Sequence, residues 1–270
     1  MNYEDRIVAF IDVLGFRSLV NDTVDAKGND EPEKIQRIYD AYDVIQDNWR
    51  RSSSEQATSS KKTTIFSDCI VVSVAENESS QVFWTLLEIK HLIMALVYHG
   101  ILVRGAVVRG KLIHERNVVF GPALVEAYTL ESKAALYPRV ILDRDLVVAA
   151  GHRSAGHHTK KEEIKYVQSL LEKDSDGMYY VDYFFKAESE LDEPEYGFPD
   201  YIAKLGDIIR RGLMGSNHPS NADLKVKYTW MRERYNRMVD QVQLRLPQRA
   251  NTSQNFELFE IYAGLKKIGR

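Results

Sequence analysis

The order of patterns along the chain predicts an α+β domain, a mainly antiparallel sheet flanked by helices, with a helical C-terminal extension. Three observations carry this. Short β-branched apolar runs recur at residues 7–11, 63–74, 101–113 and 140–142. Between them lie longer segments whose apolar residues step by three and four, as on amphipathic helices. From Tyr201 onward the pattern is almost purely helical, so the reading divides the chain into 1–190, an α+β domain, and 191–270, a helical extension that packs on the core or at a partner interface.

The first strand is Ile7–Ile11, apolar enough to be buried on both faces, and it ends on a carboxylate, Asp12. Gly15 then eases a tight turn into a helix carrying Phe16, Leu19 and Val20. A helix N-terminus beside a carboxylate suits a phosphate and a divalent cation, although Asp12 alone is equally well read as the helix cap. Asn21–Pro32 is a polar loop, and a helix opens at Pro32 with an apolar stripe of Ile35, Ile38, Tyr39, Tyr42, Ile45 and Trp49. Arg51–Lys62 is a Ser-rich linker. Thr63–Val74 reads as a hairpin with Ser67 and Asp68 at its bend.

Gln81–His99 is a long helix stopped by Gly100. Ile101–Ile113 forms two strand segments carrying Arg104, Arg109 and Lys111; Arg104, between Val103 and Gly105, is the one least easily read as a solvated edge. Asn117–Leu136 runs from a short strand through Gly121-Pro122 into a helix on which Glu126 and Glu131 read as solvated. Tyr137-Pro138-Arg139 ends it, Val140–Leu142 is a buried strand, and a short helix covers 145–150. The loop after it holds His152, His157 and His158 without acid or sulfur partners at ligand spacing, which argues against a metal there. Met178–Phe185 reads as a strand, Pro194–Pro199 as a break, then helices at 201–213 and 222–244 and a terminal segment, 251–270, with Phe256, Leu258, Phe259 and Tyr262 available to dock.

Composition sets bounds. The 270 residues are 44% hydrophobic, enough for a real core, and the formal net charge of −3 gives no basic excess for nucleic acid. A single cysteine, Cys69, leaves no intrachain disulfide or cysteine-rich zinc cluster. The longest greasy run, Leu92–Val103, is broken by His99 and Gly100 and is too short for a bilayer, and the opening MNYEDR lacks a signal-peptide layout, so the expected compartment is the cytoplasm, with no membrane partner. Walker A, GxGxxG, HExxH and GxSxG patterns are absent from the sequence.

The two acids set into apolar strands carry the functional expectation. An ionised carboxylate taken out of water costs several kcal/mol unless a cation or donors compensate it. Asp68 alone is more simply a turn residue; Asp12 and Asp68 on neighbouring strands would repel each other unless a divalent ion lay between them.

The sequence FIDVLGF, followed by FSDCIVV, VRGAVVRG and VVFGPALVEAYTLE, resembles the class III nucleotidyl cyclase core. With YPR-V and the stretch Lys227-Tyr228-Thr229-Trp230, it looks most like the bacterial pyrimidine cyclases of the Pycsar antiphage defence, firmly over 7–142 and loosely beyond. The resemblance implies a ferredoxin-like core and a homodimer with interfacial active sites. It implies two divalent ions, Mn2+ or Mg2+, on Asp12, Asp68 and the Val13 carbonyl, and phosphate-binding amides at Leu14, Gly15 and Phe16.

The positions that read a purine base in adenylyl cyclases fall on Thr64 and Val118, and the transition-state Asn and Arg of the family on Val125 and Thr129, so neither pair is kept. The charge-stabilising role is then unassigned unless Arg104, Lys111 or Arg139 has taken it over, with Arg104 favoured as catalytic and Thr64, Lys111 and Arg139 as substrate contacts. The implied activity is cyclisation of UTP, less so CTP, to the 3′,5′-cyclic mononucleotide and pyrophosphate, an antiphage signal read by a separate effector. The alternatives are a degenerate cyclase fold that binds a nucleotide or protein without turnover, and a diguanylate-cyclase-like enzyme, against which FSDC stands as an unsuitable turn.

Overall fold

The computed structural model describes residues 2–55, 60–116, 118–250 and 256–269. It divides into two compact units, Met1–Val181 and Asp182–Arg270. The aromatic run from Met178 is strand only over Tyr179–Val181, where the first unit ends; the Asp182 carboxylate then accepts the N–H groups of Phe184, Phe185 and Lys186 and turns the chain.

The first unit is a mixed sheet flanked by helices, an α+β fold as expected. In chain order its elements are β1 (Glu4–Val13), α1 (Phe16–Asn21), α2 (Pro32–Glu55), β2 (Lys62–Phe66), β3 (Cys69–Ala75), α3 (Gln81–Tyr98), β4 (Val103–Glu115), β5 (Val118–Phe120), α4 (Pro122–Lys133), β6 (Val140–Leu142), α5 (Arg144–Ala150), α6 (Lys160–Ser169), β7 (Leu171–Lys173) and β8 (Tyr179–Val181). The strand order is β2-β3-β1-β4-β6-β8-β7, with β5 paired to β4. Only the β4–β6 pairing is parallel among the described residues; the rest are antiparallel.

Several boundaries differ from the sequence reading. Residues 51–55 of the Ser-rich stretch continue α2, while 56–59 lie outside the described residues. The β4 run is one long strand, because Gly105 lets β1 and β4 approach closely: a Cβ there would meet the Phe10 carbonyl oxygen at 2.5 Å. The helix α6 was not anticipated, yet a capping box marks its start, with Thr159 accepting from the Glu162 N–H and Glu162 from that of Thr159.

The pleat sorts β1 onto two faces. Ile7, Ala9 and Ile11 pair with Val74, Val72 and Ile70 of β3 on one face, the side on which α3 packs with Leu86, Ile89, Leu92 and Ile93 fully or nearly fully buried. By length and composition α3 is apolar enough to cross a membrane, but 61% of it is buried inside the unit, as expected of a core helix. On the opposite face Val8, Phe10, Val71, Val108 and Leu112 pack against Ala123 and Ala127 of α4. That second face carries Asp12 at its end.

The second unit contains α7 (Pro194–Gly215), α8 (Ala222–Ala250) and α9 (Phe256–Ala263). Pro194–Pro199 is thus a helix start and not a break: Pro194 occupies the first turn and Pro199 sits early enough that the helix continues past it. Phe198, Tyr201, Leu205, Met231, Tyr235 and Met238 form its buried interior, and Tyr262 of the terminal segment is also buried; the side chains of Phe256, Leu258 and Phe259 lie outside the described residues.

Candidate active site

The end of β1 is fixed from two sides. The Val13 N–H donates to the Asp68 carbonyl at 3.0 Å, tying the strand end to the β2–β3 turn, and the Leu14 N–H donates to the Leu102 carbonyl at 2.8 Å, tying it to β4. Gly15 then takes a left-handed conformation (φ 72°) ahead of α1. The β2–β3 turn is held as well. Ser67 is left-handed (φ 52°), a conformation costly for a residue with a side chain, and the Tyr42 hydroxyl of α2 donates to its carbonyl at 2.5 Å. Phe16 packs edge-on against Tyr42, so α1, α2 and the turn share one anchor.

These constraints bring Asp12 and Asp68 together. In the ladder Asp12 stands opposite Cys69 of β3 and opposite Arg104 of β4. Asp12, Asp68 and Cys69 each offer one ligand atom, all within 4.8 Å of one another, and each residue is half-buried. The Cys69 Sγ lies 4.0 Å from Asp12 Oδ1 and 3.8 Å from Asp68 Oδ1. The two acids singled out in the sequence therefore share a site, and Cys69 joins them.

Arg104 Nε lies 3.4 Å from Asp12 Oδ2 and 2.5 Å from Glu131 Oε1, the latter without hydrogen-bond alignment. Glu131 is 2% exposed, contrary to its reading as solvated, because α4 lays that face over β1 and β4. Its other oxygen accepts from the Ser132 hydroxyl. Two carboxylates thus flank one guanidinium, and a third, Asp68, lies against Asp12. The electrostatics follow: burial first, then the charges of Glu131 and Asp68, push the Asp12 carboxyl up to about 6 despite the opposing pull of Arg104. Burial, Asp68, Asp12 and Glu131 push the Cys69 thiol up to about 12, so it stays protonated beside the acids. The site is short of positive charge, and its oxygen-rich donor set matches a hard divalent cation.

Other expected residues fall differently. Lys111 Nζ pairs with Asp5 Oδ2 at 2.8 Å, both exposed, seven positions along β4 from Arg104 and so about 23 Å away by strand rise. It sits at the far end of the ladder. Arg139 is fully buried and ion-paired to Asp174 and Asp176, with its guanidinium also over the Tyr137 ring; its charge is committed within the fold and it is not presented to a ligand. The Leu14 amide, already bonded to Leu102, is not free to cradle a phosphate, which leaves Gly15 and Phe16 of the three expected amides. Thr64 of β2 faces the same side of the sheet as Asp12, one pleat row away, and its hydroxyl meets His114 Nε2 at 2.9 Å.

Sequence reasoning missed Glu131, Tyr42 and His114. Only Glu131 left a signal: with Ala127 it recurs at the four-residue step of the packed face.

No protein-family description matches the chain, and no curated protein sequence matches it. Solved structures similar in fold include the adenylyl cyclase CyaB from P. aeruginosa (10% identity, 67% of this chain and 94% of that one, TM-score 0.42). A class III adenylyl cyclase-like ATP-binding protein from Pseudomonas aeruginosa aligns at 11% identity over 70% of this chain and 41% of that one (TM-score 0.43). A bacterial light-regulated adenylyl cyclase aligns at 12% identity over 62% and 57% (TM-score 0.36), so the chain spans less than two thirds of these last two structures.

Proposed function

We propose that this protein is a nucleotidyl cyclase acting on a pyrimidine ribonucleoside triphosphate, UTP in preference to CTP, releasing the 3′,5′-cyclic mononucleotide and pyrophosphate. The observation that carries the reading is the convergence of Asp12 and Asp68, from different strands, on one half-buried, charge-deficient point beside Arg104. Asp12 and Asp68, with the Val13 carbonyl, would hold two divalent ions, manganese or magnesium. When bound, these would acidify the ribose 3′-OH and neutralise the triphosphate.

The chain's own groups do the rest. Asp12 and Asp68 are fixed by the Val13–Asp68 backbone bond, so their spacing needs no adjustment when substrate arrives. Arg104, held between Asp12 and Glu131, is the cation at hand to take up charge on the departing pyrophosphate. The Gly15 and Phe16 amides, in the turn that follows the same end of β1, would suit a phosphate oxygen. The purine-reading Lys and acid of adenylyl cyclases have Thr64 and Val118 in their places, leaving short contacts that suit a single-ring base.

On this reading the protein works as a homodimer whose exposed face, with Phe66, Val125 and Tyr128 beside the site, meets its copy. Its product would serve as a cytoplasmic antiphage signal for a separate effector. A second reading, a nucleotide-binding module without turnover, is favoured by one observation: Arg104, Lys111 and Arg139 all have carboxylate partners within the fold. Incubation with each of the four ribonucleoside triphosphates and manganese, followed by mass analysis, decides. Cyclic UMP as the main product supports the first reading. Binding of a triphosphate without any cyclic product establishes the second, and faster turnover of ATP or GTP than of UTP and CTP overturns the pyrimidine assignment.

A further inference from the structure

Away from the acidic site, the start of α3 gathers hydrogen-bond donors that lack acceptors. It lies beside Ile7 of β1, five positions and so about 16 Å by strand rise from Asp12, on the sheet face opposite the carboxylates. Its N-cap, Ser80, is left-handed (φ 56°), and the Ser80 N–H donates to the Arg153 carbonyl at 2.7 Å. In this conformation the Ser80 hydroxyl does not cap the helix. It is buried, in a residue 8% exposed, and has no hydrogen-bond partner among the described residues. The N–H groups of Gln81, Val82 and Phe83, which a helix cannot satisfy within its own first turn, have no acceptor among the described residues either.

Ser80, Gln81 and Val82 line a small hollow floored by Ile7, Leu146 and Ala150, with room for about one oxygen atom. The hollow shares Glu76, Glu78 and Arg153 with an open cleft of about 800 Å³. The charges at its mouth are not all engaged. Glu76 is paired with Arg109 at 2.9 Å, and Glu78 Oε1 accepts the Ser60 N–H at 2.8 Å. The Arg153 guanidinium makes no ion pair among the described residues, and neither does Lys62 on the cleft wall. Engaged carboxylates therefore face unengaged cations and the positive end of the α3 dipole.

We infer that the start of α3 is a phosphate-binding site, separate from the candidate active site. The Ser80 hydroxyl and the N–H groups of Gln81, Val82 and Phe83 hold phosphate oxygens, one of them in the hollow, and Arg153 neutralises those left in the cleft. A water accepts two of these four hydrogens at most, whereas the oxygens of a phosphate accept all of them and bring the negative charge that the helix end and Arg153 favour. The apolar floor strengthens such bonds by lowering the local dielectric. Phosphate bound here would brace the Ser80–Arg153 junction and so tie α3 to the segment that follows α5. The site stands apart from the cyclase reading, since it uses none of the residues assigned there.

The test titrates inorganic phosphate into the full metal-free chain and follows the backbone amides by 15N–1H NMR, with Tm as a second readout. The Gln81, Val82 and Phe83 signals should shift downfield to saturation, and Tm should rise with phosphate concentration. Chloride at matched ionic strength should do neither. Ser80→Gly, which removes the hydroxyl yet suits the left-handed position, should weaken binding about tenfold without lowering the Tm of the phosphate-free protein, and Arg153→Gln should do the same. Ribose 5-phosphate separates two sources of the group: tighter binding than inorganic phosphate assigns it to a small ester whose body lies in the cleft, binding no tighter assigns it to the free ion, and either supports the site. Amide signals that stay still, that move equally with chloride, or that move as readily in both variants overturn it. Because the readout is the α3 amides of the metal-free chain, that failure leaves the cyclase reading intact.

Discussion

The β1–β4 ladder carries a cross-strand acid–base pair at each end, and the two ends behave differently. At one, Asp5 faces Lys111 in the open, with 59% and 53% of the side chains exposed. At the other, Asp12 faces Arg104 with 19% and 25% exposed, Glu131 crowds the same guanidinium, and Asp68 lies against Asp12. The first is an ordinary solvated pair, worth little to folding. The second is a partly desolvated excess of negative charge that the fold holds in place through backbone bonds to Asp68 and Leu102. Cross-strand pairing of an acid with a base on the same two strands, but on opposite faces of the pleat, thus gives surface decoration in one case and a site demanding an external cation in the other. What differs is burial and the neighbours supplied by the β2–β3 turn and α4.

The sharpest way to break this comparison is to remove charge at the crowded end. Asp12→Asn and Asp68→Asn should each lower cyclase kcat by about a thousandfold or more, since each removes a fixed ligand and electrostatic preorganisation is the dominant catalytic contribution. Arg104→Ala should cost about a hundredfold. Steady-state assays with manganese and UTP check all three. Near-wild-type turnover in Asp12→Asn would show that the excess charge at this end serves no catalytic purpose.

A smaller effect tests the electrostatics without chemistry. Asp12 in the folded chain titrates at about 6, above its ordinary value of 3.8. Between those values the folded state keeps a proton that the unfolded chain has lost, so stability falls as pH rises through this window and levels off above it. In the metal-free protein the share due to Asp12 should be about 1 to 2 kcal/mol, discounted for its partial exposure. Asp12→Asn should therefore stabilise the metal-free protein at pH 7.5. Manganese should raise the Tm of the wild type and leave that of the variant nearly unchanged. Thermal melts across pH 4.5 to 8, with and without the ion, decide; a wild-type protein that grows steadily more stable toward pH 6 would contradict the sign.

The crowded end was half legible in the sequence. Asp12 and Asp68 announce themselves because each interrupts a β-branched run, where a charge needs a reason. Glu131 does not, because on an amphipathic helix a glutamate reads as solvated until the packing of α4 on β1 and β4 buries it. Arg139 misled for a related reason. Its partners, Asp174 and Asp176, lie in the turn between β7 and β8, and nothing local marks a cation whose counter-charges arrive from so far along the chain. The Thr64–His114 contact depends on the far end of β4 reaching over two neighbouring strands, a matter of register and curvature that periodicity does not encode. Elements with a repeating pattern were foreseeable, and contacts made by tertiary register were not.

The smallest effect belongs to the open end, and it guards against reading every ladder charge as functional. Lys111 stands in a glycine-flanked run beside Arg104 in sequence, which is why it resembles a phosphate contact, yet strand geometry carries it about 23 Å away. Lys111→Ala should change unfolding free energy by less than about 0.5 kcal/mol, because the lost ion pair is screened on both sides by water. Raising salt to 0.5 M should erase even that difference, while the pH-dependent destabilisation at Asp12, shielded by its neighbours, should persist. A Lys111→Ala variant that lost triphosphate affinity despite unchanged stability would mean that the far end of β4 reaches a substrate held by another copy of the chain, making the two ends parts of one composite site.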